Sequence, residues 1–393
     1  MDFSTGPDAS AFRAEVREFL REHLTAAVHE RMHDTGTMHD WGLHLGLAER
    51  GWIGAGWSAE EGGQGHSAFM VDALYQELAA AGAPTDGFSA TMCIAETLRR
   101  IGTSFHREQI IKPILEGRLL IAMGYSEPGA GSDLISVRTS ARRDGDMWVI
   151  DGQKAFTTLA HEAGYVLALT RTDPDVAPRN GLTVFLIPTD SPDFSLAPVA
   201  TLGGERTNMT YYSEVRVSDE MRVGEIGGGW DVLSLALSFE RGGEFAAQLR
   251  RLLDDSISWV RTNSDADAAD AARVGRLAAD AEVARVLGLR AAWSRDLPGA
   301  GAVEGVMAKV FATNRLLAAA GDVLDMLGSA GQVTDGVEIP GAQGIEHTYR
   351  HAQVTTIYGG TTEVLLGVIA EKRMGLPRSR AARGAPAPAA AER

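Results

Sequence analysis

Several short clusters in this sequence hold residues able to do chemistry. Glu127-Pro-Gly-Ala-Gly-Ser-Asp133 sets two glycines, a hydroxyl and two carboxylates in one run. A dinucleotide fingerprint would need a preceding strand, a third glycine and a helix opening on the pyrophosphate. The third glycine is missing and no βαβ unit follows, so a Rossmann site is disfavoured and a surface turn is the plain alternative. Glu240 follows Leu233, Leu235, Ala236, Leu237 and Phe239, an apolar stretch where an unpaired carboxylate would be costly. It is a candidate proton acceptor. On local grounds a solvated Glu240-Arg241 pair reads at least as well, because adjacent helical residues point about 100° apart and need not pair with each other. Glu244, one turn on, is the local rival. Cys93 is the only cysteine; within Ala90-Thr-Met-Cys-Ile-Ala95 it reads better as a small buried hydrophobe than as a nucleophile. His44, His66, His161, His347 and His351 show no metal-ligand spacing.

The elements that must position these residues fall into three textures. From about Ala9 to Leu120 the chain reads mostly as helix: Phe12, Val16, Phe19 and Leu20 recur at helical spacing, and Leu45, Leu47 and Ala48 begin another apolar face. Gly51-Trp-Ile-Gly-Ala-Gly-Trp57 and Glu61-Gly-Gly-Gln-Gly65 break it. Met147-Trp-Val-Ile150, Tyr165-Val-Leu-Ala-Leu169 and Thr183-Val-Phe-Leu-Ile187 are short β-branched or aromatic runs bounded by Gly, Asp, Pro or Asn, as strands are. No helical pattern of ten residues separates them, so antiparallel pairing is expected over a βαβ sheet. After Gly224-Glu-Ile-Gly-Gly-Gly229 the helical period returns. Val274, Leu277, Ala281, Ala284 and Leu287 form one stripe, and Met307, Val310, Leu316, Leu324 and Leu327 support a further long helix. The Ala/Pro/Arg-rich residues 379–393 read as a disordered tail.

Bulk properties narrow the function. The 393 residues allow two or three domains, and 45% are apolar. A net charge of −15 argues against a nucleic-acid partner, which needs clustered cations. A single cysteine excludes an intrachain disulfide and a thiolate metal cluster. No stretch approaches the ~18 apolar residues of a membrane span, and the N-terminus lacks a signal-peptide pattern, so a cytoplasmic location is expected. Basic residues are overwhelmingly arginine; lysine occurs only at Lys112, Lys154, Lys309 and Lys372.

Taken whole, Met123-Gly-Tyr-Ser-Glu-Pro-Gly-Ala-Gly-Ser-Asp133 resembles the flavin signature of the acyl-CoA dehydrogenase family. Trp148-Val-Ile-Asp-Gly-Gln-Lys-Ala-Phe-Thr-Thr158 is similar to the family's next landmark, and Tyr358-Gly-Gly-Thr361 to its third except at one position. The resemblance covers roughly residues 10–378. It implies an α+β fold: an N-terminal helical domain (1–120), a middle β-barrel (121–225) and a C-terminal four-helix bundle (226–378). It implies FAD as cofactor, contacted by Met123, Tyr125, Ser126, Gly131, Ser132, Phe156, Thr157, Thr158, Gly328, Thr361 and Glu363. Phe156 and Thr158 would lie against the isoalloxazine, Thr158 near N5, since short polar donors stabilise charge on a reduced ring without covering its face.

The implied reaction introduces an α,β double bond into an acyl-CoA thioester. It needs a carboxylate for the α-proton and donors for the thioester carbonyl. In many relatives the carboxylate follows the motif tyrosine; here that position is Gly359. An isovaleryl-CoA-dehydrogenase-like branch carries it on a C-terminal-domain helix instead, and Leu237-Ser-Phe-Glu-Arg-Gly-Gly243 matches that stretch. The resemblance therefore implies Glu240 as base, with Ser132, Phe239, Arg241, Gly359 and Gly360 at the substrate and the Gly359 N–H on the carbonyl.

Two departures concern assembly. Arg261-Thr-Asn-Ser-Asp-Ala-Asp-Ala-Ala-Asp270 lacks the Arg-x-x-Phe-Gly of homotetrameric relatives, and Asp325-Met-Leu-Gly-Ser329 departs from the common Gln-x-x-Gly-Gly. Ala281-Glu-Val-Ala-Arg-Val-Leu-Gly-Leu-Arg290 resembles actinobacterial members, some built from two different chains. The implied partners are an acyl-CoA, an electron-transfer flavoprotein or similar acceptor, and a homotetramer or a heterotetramer with a related chain. A non-catalytic subunit and a flavin oxidase or N-hydroxylase are the alternatives.

Overall fold

The computed structural model describes residues 6–239, 244–294, 302–333 and 339–377. The first unit is helical: α1 (Gly6–His23), α2 (Ala26–Thr35), α3 (Trp41–Glu49), α4 (Ala68–Ala80), α5 (Asp86–Ile101) and α6 (Lys112–Leu115). Local chemistry sets several starts. The Asp40 side chain accepts the Leu43 N–H at the head of α3, and Ser67 accepts that of Met70 at the head of α4. Phe19, Leu47, Leu74, Phe88 and Leu98 are buried together. Cys93 is buried, as expected of a small hydrophobe; Leu45, by contrast, faces solvent.

The middle unit is a sheet of β1 (Ile121–Gly124), β2 (Ser140–Asp144), β3 (Met147–Lys154), β4 (Tyr165–Arg171), β5 (Leu182–Pro188), β6 (Phe194–Ala200), β7 (Arg206–Ser218) and β8 (Arg222–Val223). Its order is β6-β7-β3-β2-β4-β5-β8, with β1 also on β4. Most pairs are antiparallel, as expected; β1 with β4 and the single pair Ser140–Arg171 are parallel. Alternation sorts the two faces. Leu167, Leu169, Val184 and Leu186 join the helical core, while Val166, Ala168, Phe185 and Ile187 pack with Trp148, Ile150 and Tyr212 on the other side.

The expected barrel is not closed. The sheet is open, because β6 and β8 end it without pairing to each other. Each edge has a physical stop: Pro198 removes a donor from β6, and β8 is two residues long.

The last unit is helical again: α7 (Gly229–Phe239), α8 (Glu244–Thr262), α9 (Ala268–Ser294), α10 (Ala302–Leu327), α11 (Ala342–Thr355) and α12 (Thr362–Lys372). Helices α8 to α11 pack on one another around Leu249, Leu252, Leu277, Leu316, Val323 and Ile345. The stripe read from α9 faces this core through Leu277, Ala281 and Ala284. Residues 240–243 between α7 and α8, and the tail, lie outside the described residues.

Candidate active site

The glycine run leaves the end of β1 and is held from below. Glu127 and Ala130 exchange backbone hydrogen bonds across Pro128-Gly129 (2.8 and 3.0 Å). The Glu127 carboxylate accepts the N–H groups of Arg138 (2.7 Å) and Thr139 (2.8 Å) and the Lys154 ammonium (2.8 Å). Lys154, at the end of β3, is fully buried. Burial lowers its ammonium to about 8, with the charge and hydrogen bond of Glu127 opposing the fall. Burial acts to raise the Glu127 carboxyl, but Lys154 and the Arg138 N–H hold it below the usual range. Both groups therefore stay charged near neutrality. A Cβ added at Gly129 or Gly131 would meet nothing within 4 Å, so the outer side of the loop is open space.

Beside it, just after β3, Ala155 donates to the Ser126 carbonyl (2.9 Å), which fixes the next three residues against the loop. Phe156 has φ +57° and is 67% exposed. A left-handed backbone costs a non-glycine residue about 1 kcal/mol, and an exposed aromatic contributes no packing in return. Its surroundings impose it. The Thr157 N–H donates to the Asn208 carbonyl (2.8 Å) and Asn208 Nδ2 to the Thr157 carbonyl (3.0 Å), both on β7. The Thr157 hydroxyl lies 3.3 Å from that of Thr210, and the Thr158 hydroxyl 3.0 Å from that of Thr207. Thr157 thus sits beneath this shelf with its side chain buried, while Phe156 faces outward and Thr158 is half-buried.

The third cluster is the turn between α11 and α12. Gly359 (φ +64°) and Gly360 (φ +94°) take left-handed conformations that suit glycine. The Lys309 ammonium of α10, 1% exposed, donates to the Tyr358 carbonyl and to that of Gly360 (2.9 Å). It also lies 5.6 Å from the Phe245 ring centroid and 5.5 Å from that of Tyr358. Thr361 then caps α12 by accepting the Val364 N–H.

One junction relates the sheet to this turn. Glu205, immediately before β7, accepts from His351 Nδ1 of α11 (2.6 Å), and Arg350 donates to the Leu202 carbonyl (3.0 Å). Thr207 and Asn208, which hold the shelf, follow Glu205 after one residue, Arg206.

Three family profiles match in order along the chain: the acyl-CoA dehydrogenase N-terminal domain at residues 6–118, the middle domain at 122–217 and the C-terminal domain at 227–374. Acyl-CoA dehydrogenase FadE26 of Mycobacterium tuberculosis is 32% identical over 96% of this chain and 100% of its own length. The chain belongs to the acyl-CoA dehydrogenase family. It is accordingly an FAD-dependent oxidoreductase. Among solved structures, the Tcur3481-Tcur3483 steroid ACAD shares 34% identity at a TM-score of 0.86, covering 96% of this chain and 100% of that one. The ChsE4-ChsE5 complex from Mycobacterium tuberculosis shares 32% at the same score, with the same coverage.

The residues present fit an FAD. The open side of Gly129 and Gly131, the hydroxyls of Ser126 and Ser132 and an outward-facing aromatic held in a strained conformation make a shelf with small polar donors and one apolar wall. Met123 and Tyr125 lead into it from β1. In this acyl-CoA dehydrogenase the remaining expected site residues are scattered. Phe239 ends α7 with the Arg100 guanidinium 4.9 Å over its ring. Glu240 and Arg241 lie outside the described residues. Glu363 is exposed in the first turn of α12. Gly328 follows the far end of α10, nineteen residues beyond Lys309, about 28 Å along the helix axis. The structure does not bring it to the Gly359 turn. Sequence reasoning missed Lys309, Asn208, Thr207 and the Glu205–His351 pair. The scarcity of lysine was the available signal for Lys309 and Lys154, because an arginine-rich chain that keeps a lysine has a use for its compact ammonium.

Proposed function

We propose that this chain oxidises an acyl-CoA between its α and β carbons. Glu240 takes the α-proton, and the β-hydrogen leaves as hydride to the bound flavin, which is the chemistry FAD supplies. Met123, Tyr125, Ser126, Gly131, Ser132, Phe156 and Thr158 would hold that flavin, with Thr157 supporting them from beneath; Thr361 and Glu363 belong to the same set. The substrate would meet Ser132, Phe239, Arg241, Gly359 and Gly360. The domain limits follow as 1–120, 121–225 and 226–378.

The observation that carries the reading is the Gly359 turn. It has no carboxylate, yet it is anchored by a buried lysine and leaves the Gly359 N–H without a partner among the described residues. Such a donor can bind a thioester carbonyl and stabilise the negative charge that develops on it as the α-proton departs. A proton acceptor must then come from elsewhere, and Glu240, the carboxylate that follows the apolar run of α7 in the sequence, is the candidate. Electrons would pass to a flavoprotein acceptor, and the location would be cytoplasmic.

The heteromeric neighbours favour a second reading, in which the active unit is a tetramer with a related chain. Gly328 is consistent with it, lying about 28 Å along α10 from Lys309 and so open to serve a flavin bound by another subunit.

Flavin spectra of the chain, purified alone and with candidate partner chains, test both readings during anaerobic acyl-CoA titration. Bleaching that disappears in Glu240→Gln is the expected result. Unchanged bleaching in that variant sinks the assignment of the base. Flavin retained only with a second chain supports the heteromeric form.

A further inference from the structure

We infer that Lys309 is a positioning residue for thioester binding, fixing the direction of the Gly359 backbone N–H towards the substrate carbonyl. The inference rests on the reading above, that this turn meets a thioester. Each peptide here is trans and planar, so its N–H points opposite to its C=O. The carbonyls of Tyr358 and Gly360 both point at the Lys309 ammonium. The N–H groups in those same two peptides belong to Gly359 and Thr361, and both must leave the turn on the side away from Lys309. Neither donates to any described residue. The N–H of Thr362, by contrast, is taken by the Thr356 carbonyl (3.0 Å). The Gly359 N–H is therefore a donor without a described partner on the side of the turn away from the pin.

The pin is also a charge. A carbonyl that accepts from an ammonium polarises its own peptide, which strengthens the N–H at the other end. An ammonium 1% exposed and beside the stacked rings of Phe245 and Tyr358 acts through low-dielectric surroundings rather than through water. Lys309 thus does two things without touching the substrate: it fixes the direction of the Gly359 donor and adds positive potential behind it. Glycine at 359 makes this hold necessary, since two successive left-handed glycines have the widest choice of alternative conformations.

Paired ligands provide the test. FAD-loaded wild type and Lys309→Met are titrated by calorimetry with 2-enoyl-CoA thioesters and with S-alkyl-CoA thioethers of four, eight and sixteen carbons. The thioethers lack the carbonyl but keep CoA and chain. The variant is expected to lose about tenfold in thioester affinity, roughly the worth of one good hydrogen bond, while the thioether Kd stays within about twofold. Equal losses for both ligands, or no loss for either, overturn the inference. If the wild type binds neither ligand at any length, the acyl-CoA reading itself has failed and the inference falls with it. Should Lys309→Met not fold, Lys309→Gln keeps a donor without the charge. Isotope-edited infrared spectra should then show the bound thioester carbonyl stretch shifted towards its value in water, and an unshifted band overturns the role of the charge.

Discussion

Glu205 accepts a 2.6 Å hydrogen bond from His351, so the start of β7 is tied to α11 about two helical turns before Gly359. Through this contact the strand that holds the Phe156–Thr158 shelf and the helix that leads to the Gly359 turn share a fixed point. Burial acts to raise the Glu205 carboxyl, but His351 and the Thr201 hydroxyl bring it down to about 2. A depressed carboxylate contributes its stability in full above the unfolded value near 4.3 and loses it as pH falls towards the folded one. Glu205→Gln should therefore cost about 2 kcal/mol at pH 7, as for a hydrogen bond to a charged partner. The gap from wild type should shrink between about pH 5 and pH 2. Chemical denaturation at several pH values checks this, and a pH-independent gap rejects the ion pair as its cause.

The Lys154–Glu127 pair should be less forgiving. Glu127→Gln leaves a fully buried ammonium beside a neutral amide and cannot accept both N–H groups of Arg138 and Thr139 together with Lys154. Breaking such a pair from one side costs about 3 kcal/mol. Because the pair underlies the glycine loop, flavin content after dialysis should fall along with the melting temperature. Full flavin retention in a destabilised Glu127→Gln would separate the pair from the loop's function.

These two sites show what the sequence could convey. The order of the three units, the strands at Met147, Tyr165 and Thr183, and the stripe on α9 were legible because periodicity records which side of an element is buried. Barrel closure was not, since it depends on whether distant edges meet, and here a two-residue β8 and Pro198 decide that. Glu205 and His351 lie 146 positions apart, and no local pattern marks such a pair. The lysines were half legible. Of four in the chain, Lys112 and Lys372 are exposed, whereas Lys154 and Lys309 are buried beneath the glycine loop and the Gly359 turn.

Phe156 makes a prediction of opposite sign for protein and cofactor. Its φ of +57° is one that glycine adopts freely. Phe156→Gly should stabilise the flavin-free protein by up to about 1 kcal/mol, less the flexibility glycine adds to the unfolded chain. The same change removes the aromatic wall and should weaken FAD binding about tenfold or more, consistent with an aromatic pair plus lost apolar area. Melting curves of the apoprotein and fluorescence titration with FAD separate the effects. Equal FAD affinity would place the flavin elsewhere.

His39 and His44 set the acid limit. Their rings are 5.0 Å apart, 8% and 2% exposed, and no described residue hydrogen-bonds to their ring nitrogens. Burial, and then the neighbouring His44, lowers His39 to about 3; burial lowers His44 to about 4. Both are neutral in the folded protein and take up protons on unfolding below the ordinary histidine value of about 6.5. The unfolded state thus binds more protons between those limits, and stability must fall as pH falls through them. With two such groups the slope approaches about 2.7 kcal/mol per pH unit. Replacing His44 by phenylalanine removes one titrating group, keeps an aromatic ring against Phe88, and should lower the measured slope by up to about 1.4 kcal/mol per pH unit between pH 6 and 4.5. Denaturation midpoints across that range provide the measurement, and an unchanged slope in His44→Phe would assign the acid sensitivity to other groups.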